Sequence, residues 1–117
     1  MNERRRVPRW KITHECKLQI EGEDDRCSCQ VFDLNLKGAK LISASLLKLA
    51  SPAKLILYLD AGCTIKPEAE IAWHEAAGGR HIYGFKFHKI TDADKEKIFR
   101  FMRGTYLDQF NQMTWKV

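Results

Sequence analysis

Trp10-Lys11-Ile12-Thr13-His14-Glu15-Cys16-Lys17-Leu18-Gln19-Ile20-Glu21 alternates with a period of two. Trp10, Ile12, His14, Cys16, Leu18 and Ile20 fall on one side, and Lys11, Thr13, Glu15, Lys17, Gln19 and Glu21 on the other. Such alternation is the mark of a β-strand with one buried and one wet face. His14 lies mid-strand on the inward side, which makes it a core histidine with its hydrogen bonds met rather than a ligand. The acidic run Glu21-Gly22-Glu23-Asp24-Asp25 supplies turn chemistry, and a second strand follows through Cys27, Cys29 and Val31. The economical pairing is a hairpin.

Further strands follow in the same pattern. Asp33-Leu34-Asn35-Leu36-Lys37-Gly38 separates the second strand from a third through Ala39, Lys40, Leu41 and Ile42. Asp33 and Asn35 are two apart, so on an extended backbone a carboxylate and an amide project together. Gly38 has the freedom for a positive φ or for admitting a ligand close to the backbone, while an Asx-type turn accounts equally well for this composition. Lys54 to Asp60 reads as a buried strand. Ile65 to Trp73 places Ala69, Ile71 and Trp73 on one face, with Pro67 marking an edge, a bulge or a strand start. Ile82 to His88 aligns Tyr83, Phe85 and Phe87. Six strands joined by short turns predict an all-β antiparallel barrel or sandwich.

The period changes only near the end. Thr91 or Asp92 is placed to cap a helix over 91–113, with Asp92 and Asp94 near the positive end of its dipole. Ile98, Met102, Leu107, Phe110 and Met113 recur at roughly helical spacing, interrupted by Gly104, and predict a stripe that covers one flank of the barrel. Phe99, Phe101, Tyr106 and Trp115 exceed the needs of one seam. Core packing is the favoured use for the surplus, with a partner surface or self-association as a homodimer the alternative.

The chain of 117 residues is read as one domain, comprising an arm over 1–9, a barrel over 10–88 and the helix. The formal charge of +5 is concentrated at the start. Glu3-Arg4-Arg5-Arg6-Val7-Pro8-Arg9-Trp10 packs four arginines into six positions, and Pro8 favours an extended, mobile arm. Arg5 and Arg9 span up to roughly 13 Å of chain, a reach that brackets one compact polyanion with two guanidinium forks. A solvated charge run is the plain alternative. No apolar run nears the roughly 20 residues needed to cross a bilayer, which predicts a cytoplasmic protein with no membrane insertion. Cys16, Cys27, Cys29 and Cys63 are expected to be reduced. His14-x-Cys16 facing Cys27-x-Cys29 would be a tight zinc arrangement, and a packing role is favoured over metal. No nucleophile–base pair, phosphate-cradling glycine loop or useful carboxylate cluster is present, so no enzyme is expected.

Arg5-x-x-x-Arg9 ahead of the first strand, followed by Asp33-x-Asn35-x-x-Gly38, resembles the paired signature of the PilZ domain, a bacterial receptor module for cyclic di-GMP. The likeness continues through Ile71-Ala72-Trp73, the glycine-rich turn, Tyr83-Gly84-Phe85-Lys86-Phe87 and the terminal helix. It implies a six-stranded antiparallel barrel with a mobile N-terminal arm, cyclic di-GMP as ligand, and no cofactor or metal. It further implies Arg5 and Arg9 on guanine Hoogsteen edges and phosphates, Arg4 and Arg6 in electrostatic support, and Asp33 with Asn35 on guanine donors. Gly38 would keep the floor open, and Trp73 would stack or else belong to the core. Asn35 stands where the family usually has serine, which predicts altered geometry or weaker affinity. The resemblance implies a protein partner in a motility, pilus or exopolysaccharide system. A nucleotide-free adaptor and a non-specific nucleic-acid binder are the alternatives. The second is disfavoured because the other 106 residues carry only about +1.

Overall fold

The computed structural model describes residues 9–49 and 52–114, without the side chains of residues 9, 109 and 112–114. Arg4, Arg5, Arg6 and Trp115, with the side chains of Arg9 and Met113, therefore lie outside the described residues.

Eight strands form one antiparallel sheet: β1 (Arg9–Trp10), β2 (His14–Ile20), β3 (Cys27–Asn35), β4 (Gly38–Ser43), β5 (Ala53–Asp60), β6 (Cys63–Ile65), β7 (Glu68–Ala77) and β8 (Arg80–Lys89). The ring β3-β2-β5-β7-β8-β4 closes through pairing of β4 with β3, giving a six-stranded barrel with no free edge in the ring. The short β1 and β6 are additions that pair with β3 and β5. The alternation of residues 10–20 holds: Trp10, Ile12, Cys16 and Leu18 are buried. This stretch is nevertheless divided: Trp10 pairs with the far end of β3 as part of β1, and His14 to Leu18 with the near end as part of β2. Pro67, which has no N–H to give a ladder, separates β6 from β7.

Two bulges set which residues face outward. In β3 the register shifts between Val31 and Asp33, and in β7 between Ile71 and Trp73. An extra residue in one strand reverses the alternation beyond it. After the first bulge Leu34 points into the core, so its neighbours Asp33 and Asn35 take the opposite face. After the second, Trp73 leaves the face of Ala69 and is 42% exposed, whereas Ala69 is fully buried. The shared face expected for Ala69, Ile71 and Trp73 is thus broken at Ala72.

Two helices follow, α1 (Asp92–Thr105) and α2 (Leu107–Thr114). The Thr91 hydroxyl accepts from the Asp94 N–H at 3.1 Å, capping α1. The Asp94 carboxylate accepts the Lys66 N–H at 2.8 Å and ties that cap to the barrel. A continuous helix over 91–113 is interrupted at Tyr106, whose φ of −131° is not helical. The break shifts the phase of the apolar stripe. Ile98, Phe101, Met102 and Phe110 are buried, and Leu107 is exposed. Phe99 and Phe110 enclose Trp10, with ring centroids at 5.7 and 6.3 Å. The helices thereby clamp the root of the arm. Among the described residues no helix is long and apolar enough to cross a membrane.

Candidate functional site

Asp33, Asn35, Gly38 and Trp73 all line one pocket of about 180 Å³ on the outer face of β3, β4, β7 and β8. The sequence separates Asp33 from Trp73 by forty positions, and the two bulges return both to the same surface. Arg9 pairs through its backbone with Asn35, and Trp10 with Leu34. The last residue of the arginine-rich arm therefore runs beside the Asp33–Asn35 segment.

Each of the four residues is held differently. Asp33 is only 2% exposed. Its carboxylate lies 3.4 Å from the Lys11 ammonium and 3.7 Å from that of Lys40, its cross-strand partner. Removing a carboxylate from water is costly unless cations compensate, which these two lysines do. Asn35 accepts the Lys37 N–H on Oδ1 at 2.6 Å, forming the Asx turn that joins β3 to β4. The amide nitrogen of Asn35 remains the donor available toward the pocket. Trp73 lies against Gly84, where a Cβ would run into the indole ring. The outer face of that ring borders the pocket, with the Lys40 ammonium 5.9 Å from its centroid.

Gly38 has another cause than the one expected. Its φ is not positive. A Cβ there would collide with the Phe85 carbonyl oxygen across the β4–β8 pair, so glycine is required by the approach of two strands. Lys37, Lys40 and Lys86 line the pocket, and Lys11 reaches it through Asp33. Sequence reading passed over these lysines and Gly84, because scattered cations and a lone strand glycine have no pattern until register is known. Gly38 is opposite Lys86, and Trp73 opposite Gly84.

The larger cleft of about 660 Å³ is elsewhere, between β2, the other end of β3 and β5. Among the described residues it contains none of the anticipated ligand-binding ones, and the chemistry of the lining outweighs volume in choosing the site. His14 is satisfied as expected: its ring nitrogens lie 2.8 Å from the Tyr106 hydroxyl and 2.7 Å from the Leu59 carbonyl. Among the described residues no group of three or more His, Cys, Asp or Glu is arranged to hold a metal.

The PilZ domain model matches residues 3–104. The chain belongs to the PilZ domain family. No curated protein matches it in sequence. Among solved structures, a PilZ domain of YcgR from Escherichia coli with c-di-GMP superimposes with a TM-score of 0.66 at 13% identity, covering 98% of this chain and all of that one. YcgR from Escherichia coli in complex with c-di-GMP gives 0.62 at 15% identity, covering 90% of this chain and 47% of that one. The Bacillus subtilis inhibitor of motility (MotI/DgrA) gives 0.65 at 16% identity, covering 92% and 53%. This PilZ chain thus spans about half the length of those two longer relatives, and at these identities the likeness is one of fold.

Proposed function

We propose that this PilZ protein is a cyclic di-GMP receptor whose arm and barrel grip the ligand together. The observation that carries the reading is the β1–β3 pairing, which sets Arg9 beside Asn35 at the rim of a pocket formed by Asp33, Lys40 and Trp73. Cyclic di-GMP offers phosphates and guanine O6/N7 acceptors to arginine, and N1 and N2 donors to a carboxylate. Arg5 and Arg9 take the acceptors by bidentate hydrogen bonds, with Arg4 and Arg6 adding charge. Asp33 takes the donors, and the exposed face of Trp73 stacks on a base. For Asp33 to turn to guanine it must exchange part of its contact with Lys11 and Lys40. Those two ammonium groups then become partners for phosphate.

Fixing the arm around the ligand costs about 1–2 kcal/mol of backbone entropy per residue ordered, offset by charge-assisted hydrogen bonds. Because Trp10 is the root of the arm and packs on Phe99 and Phe110, arm movement is coupled to the helices, where a protein partner would read it. A second reading, a nucleotide-free adaptor, is favoured by Asn35 alone, since its Oδ1 already serves its own turn.

Calorimetry with cyclic di-GMP tests the proposal. Binding at micromolar affinity or tighter, abolished by Arg9→Ala in a chain that still folds, is the expected result. No heat with the intact chain removes the nucleotide reading and leaves the adaptor.

A further inference from the structure

Cys16 and Cys29 are direct cross-strand partners in the β2–β3 hairpin, and their sulfurs are 3.4 Å apart. Directly opposed residues of an antiparallel pair have Cα atoms about 4.5–5.5 Å apart, inside the range that a disulfide spans. A bond needs the sulfurs to close by little more than an ångström, within the reach of side-chain rotation. Both residues also line the 660 Å³ cleft, with Lys17, Arg26 and Ser28 at its wall. That cleft gives a small oxidant a route to thiols otherwise shielded by the barrel. The remaining cysteines are unlike this pair. Cys63 donates to the Lys97 carbonyl at 3.6 Å, and Cys27 is opposite Leu18.

We propose that Cys16 and Cys29 form a dithiol site that reacts with a hydroperoxide, Cys29 as the attacking sulfur and Cys16 as the resolving one, to give a reversible cross-strand disulfide. The hydrogen bond shared with Cys16 holds the Cys29 thiol below its ordinary pKa, with Lys17 adding to the effect against burial. The same hydrogen bond, with burial, raises Cys16. The Cys29 thiolate attacks the distal oxygen of the hydroperoxide. An S–O bond forms, the O–O bond breaks, and the alkoxide leaves as the alcohol after taking a proton. Cys29 is now a sulfenic acid, oxidised by the two electrons that the peroxide has gained. Cys16 then attacks the Cys29 sulfur. The S–S bond forms, the S–OH bond breaks, and the departing hydroxide takes the Cys16 proton as water. A thiol reductant reverses the change.

Cys27 makes the test discriminating. It is more exposed than either partner, yet burial and nearby acidic charge raise its pKa, so accessibility and thiolate character make opposite forecasts. The intact chain is treated with equimolar hydrogen peroxide, then alkylated, digested and analysed by mass spectrometry. The expected product has lost two of the four alkylatable thiols and two hydrogens, and carries a Cys16–Cys29 linkage as its main species. Cys27→Ser should form it as readily. Cys16→Ser should stop at a sulfenic acid on Cys29 that a cyclic dione traps. Modification first at Cys27, or a Cys16–Cys29 pair still fully reduced when Cys27 has reacted, would overturn the proposal, and the wild-type chain alone suffices to show either.

Discussion

Trp10 and Trp73 are both strand residues, and they serve opposite ends. Trp10 has no exposed surface and is enclosed by Phe99 and Phe110, so its ring joins the first strand to both helices. Trp73 shows 42% of its surface, rests on Gly84 and presents one face of its indole to a lysine-lined pocket. Burial of a large aromatic contributes stability, whereas a supported but uncovered ring keeps its face for another molecule. The two regions divide the described residues into a part that ties the first strand to the helices and a part that leaves an aromatic face uncovered beside a pocket.

The strongest way to break this division is at the buried ring. Trp10→Ala should destabilise the fold by about 3–5 kcal/mol, as removal of a buried aromatic generally does. It should also weaken cyclic di-GMP binding, because the arm loses its root. Denaturant titration reads the first effect and calorimetry the second. Trp10→Phe should restore most of both, since the indole N–H has no hydrogen-bond partner among the described residues. A Trp10→Ala chain as stable as the wild type would dissolve the contrast.

At the exposed ring the outcome should be reversed. Trp73→Ala should change stability by less than about 0.5 kcal/mol, as surface substitutions do. Loss of a stacked base should weaken cyclic di-GMP binding by about 1–3 kcal/mol. Gly84→Ala sharpens the same point without removing the ring: its methyl displaces the indole from its seat, so affinity should fall while the far-ultraviolet circular dichroism stays that of the barrel. Equal binding by wild type, Trp73→Ala and Gly84→Ala would mean that the pocket is not where the base stacks.

The sequence made Trp10 legible and left Trp73 open, for a definite reason. Trp10 begins an uninterrupted alternation, and each position down to Leu18 keeps its side. Trp73 comes after a bulge at Ala72, and period-two reading carried it onto the face of Ala69. The antiparallel strands, a cap at Thr91 or Asp92 and the satisfied His14 were equally readable from local pattern, whereas the choice of a barrel over a sandwich came from the family resemblance. The lysines around Asp33 were not, since cross-strand register alone places Lys40 beside it. At Gly38 the positive φ that its sequence context allows is not used; the close approach of the Phe85 carbonyl, some fifty residues away in sequence, is what demands glycine there and has no local trace. The helix breaks at Tyr106 and not at Gly104, where the apolar spacing is interrupted, because Gly104 still has helical backbone.

That break supplies the smallest and most specific test of the clamping region. The Tyr106 hydroxyl is 2.8 Å from His14 Nδ1 and 3.1 Å from the Thr13 carbonyl, fastening the junction between helices to the strand that follows Trp10. Tyr106→Phe keeps the ring against Phe101 and removes those bonds, and should cost about 1 kcal/mol. The pH dependence should identify the hydroxyl itself. Burial raises the Tyr106 pKa above its ordinary value of 10. The folded state therefore keeps this proton to higher pH than the unfolded chain, so its contribution is whole below pH 10 and declines as pH rises through the raised value. Denaturation midpoints of wild type and Tyr106→Phe should differ at neutral pH and converge in alkali. A constant difference across that range would show that the junction depends on packing of the ring, and that the hydroxyl does not fix where the second helix begins.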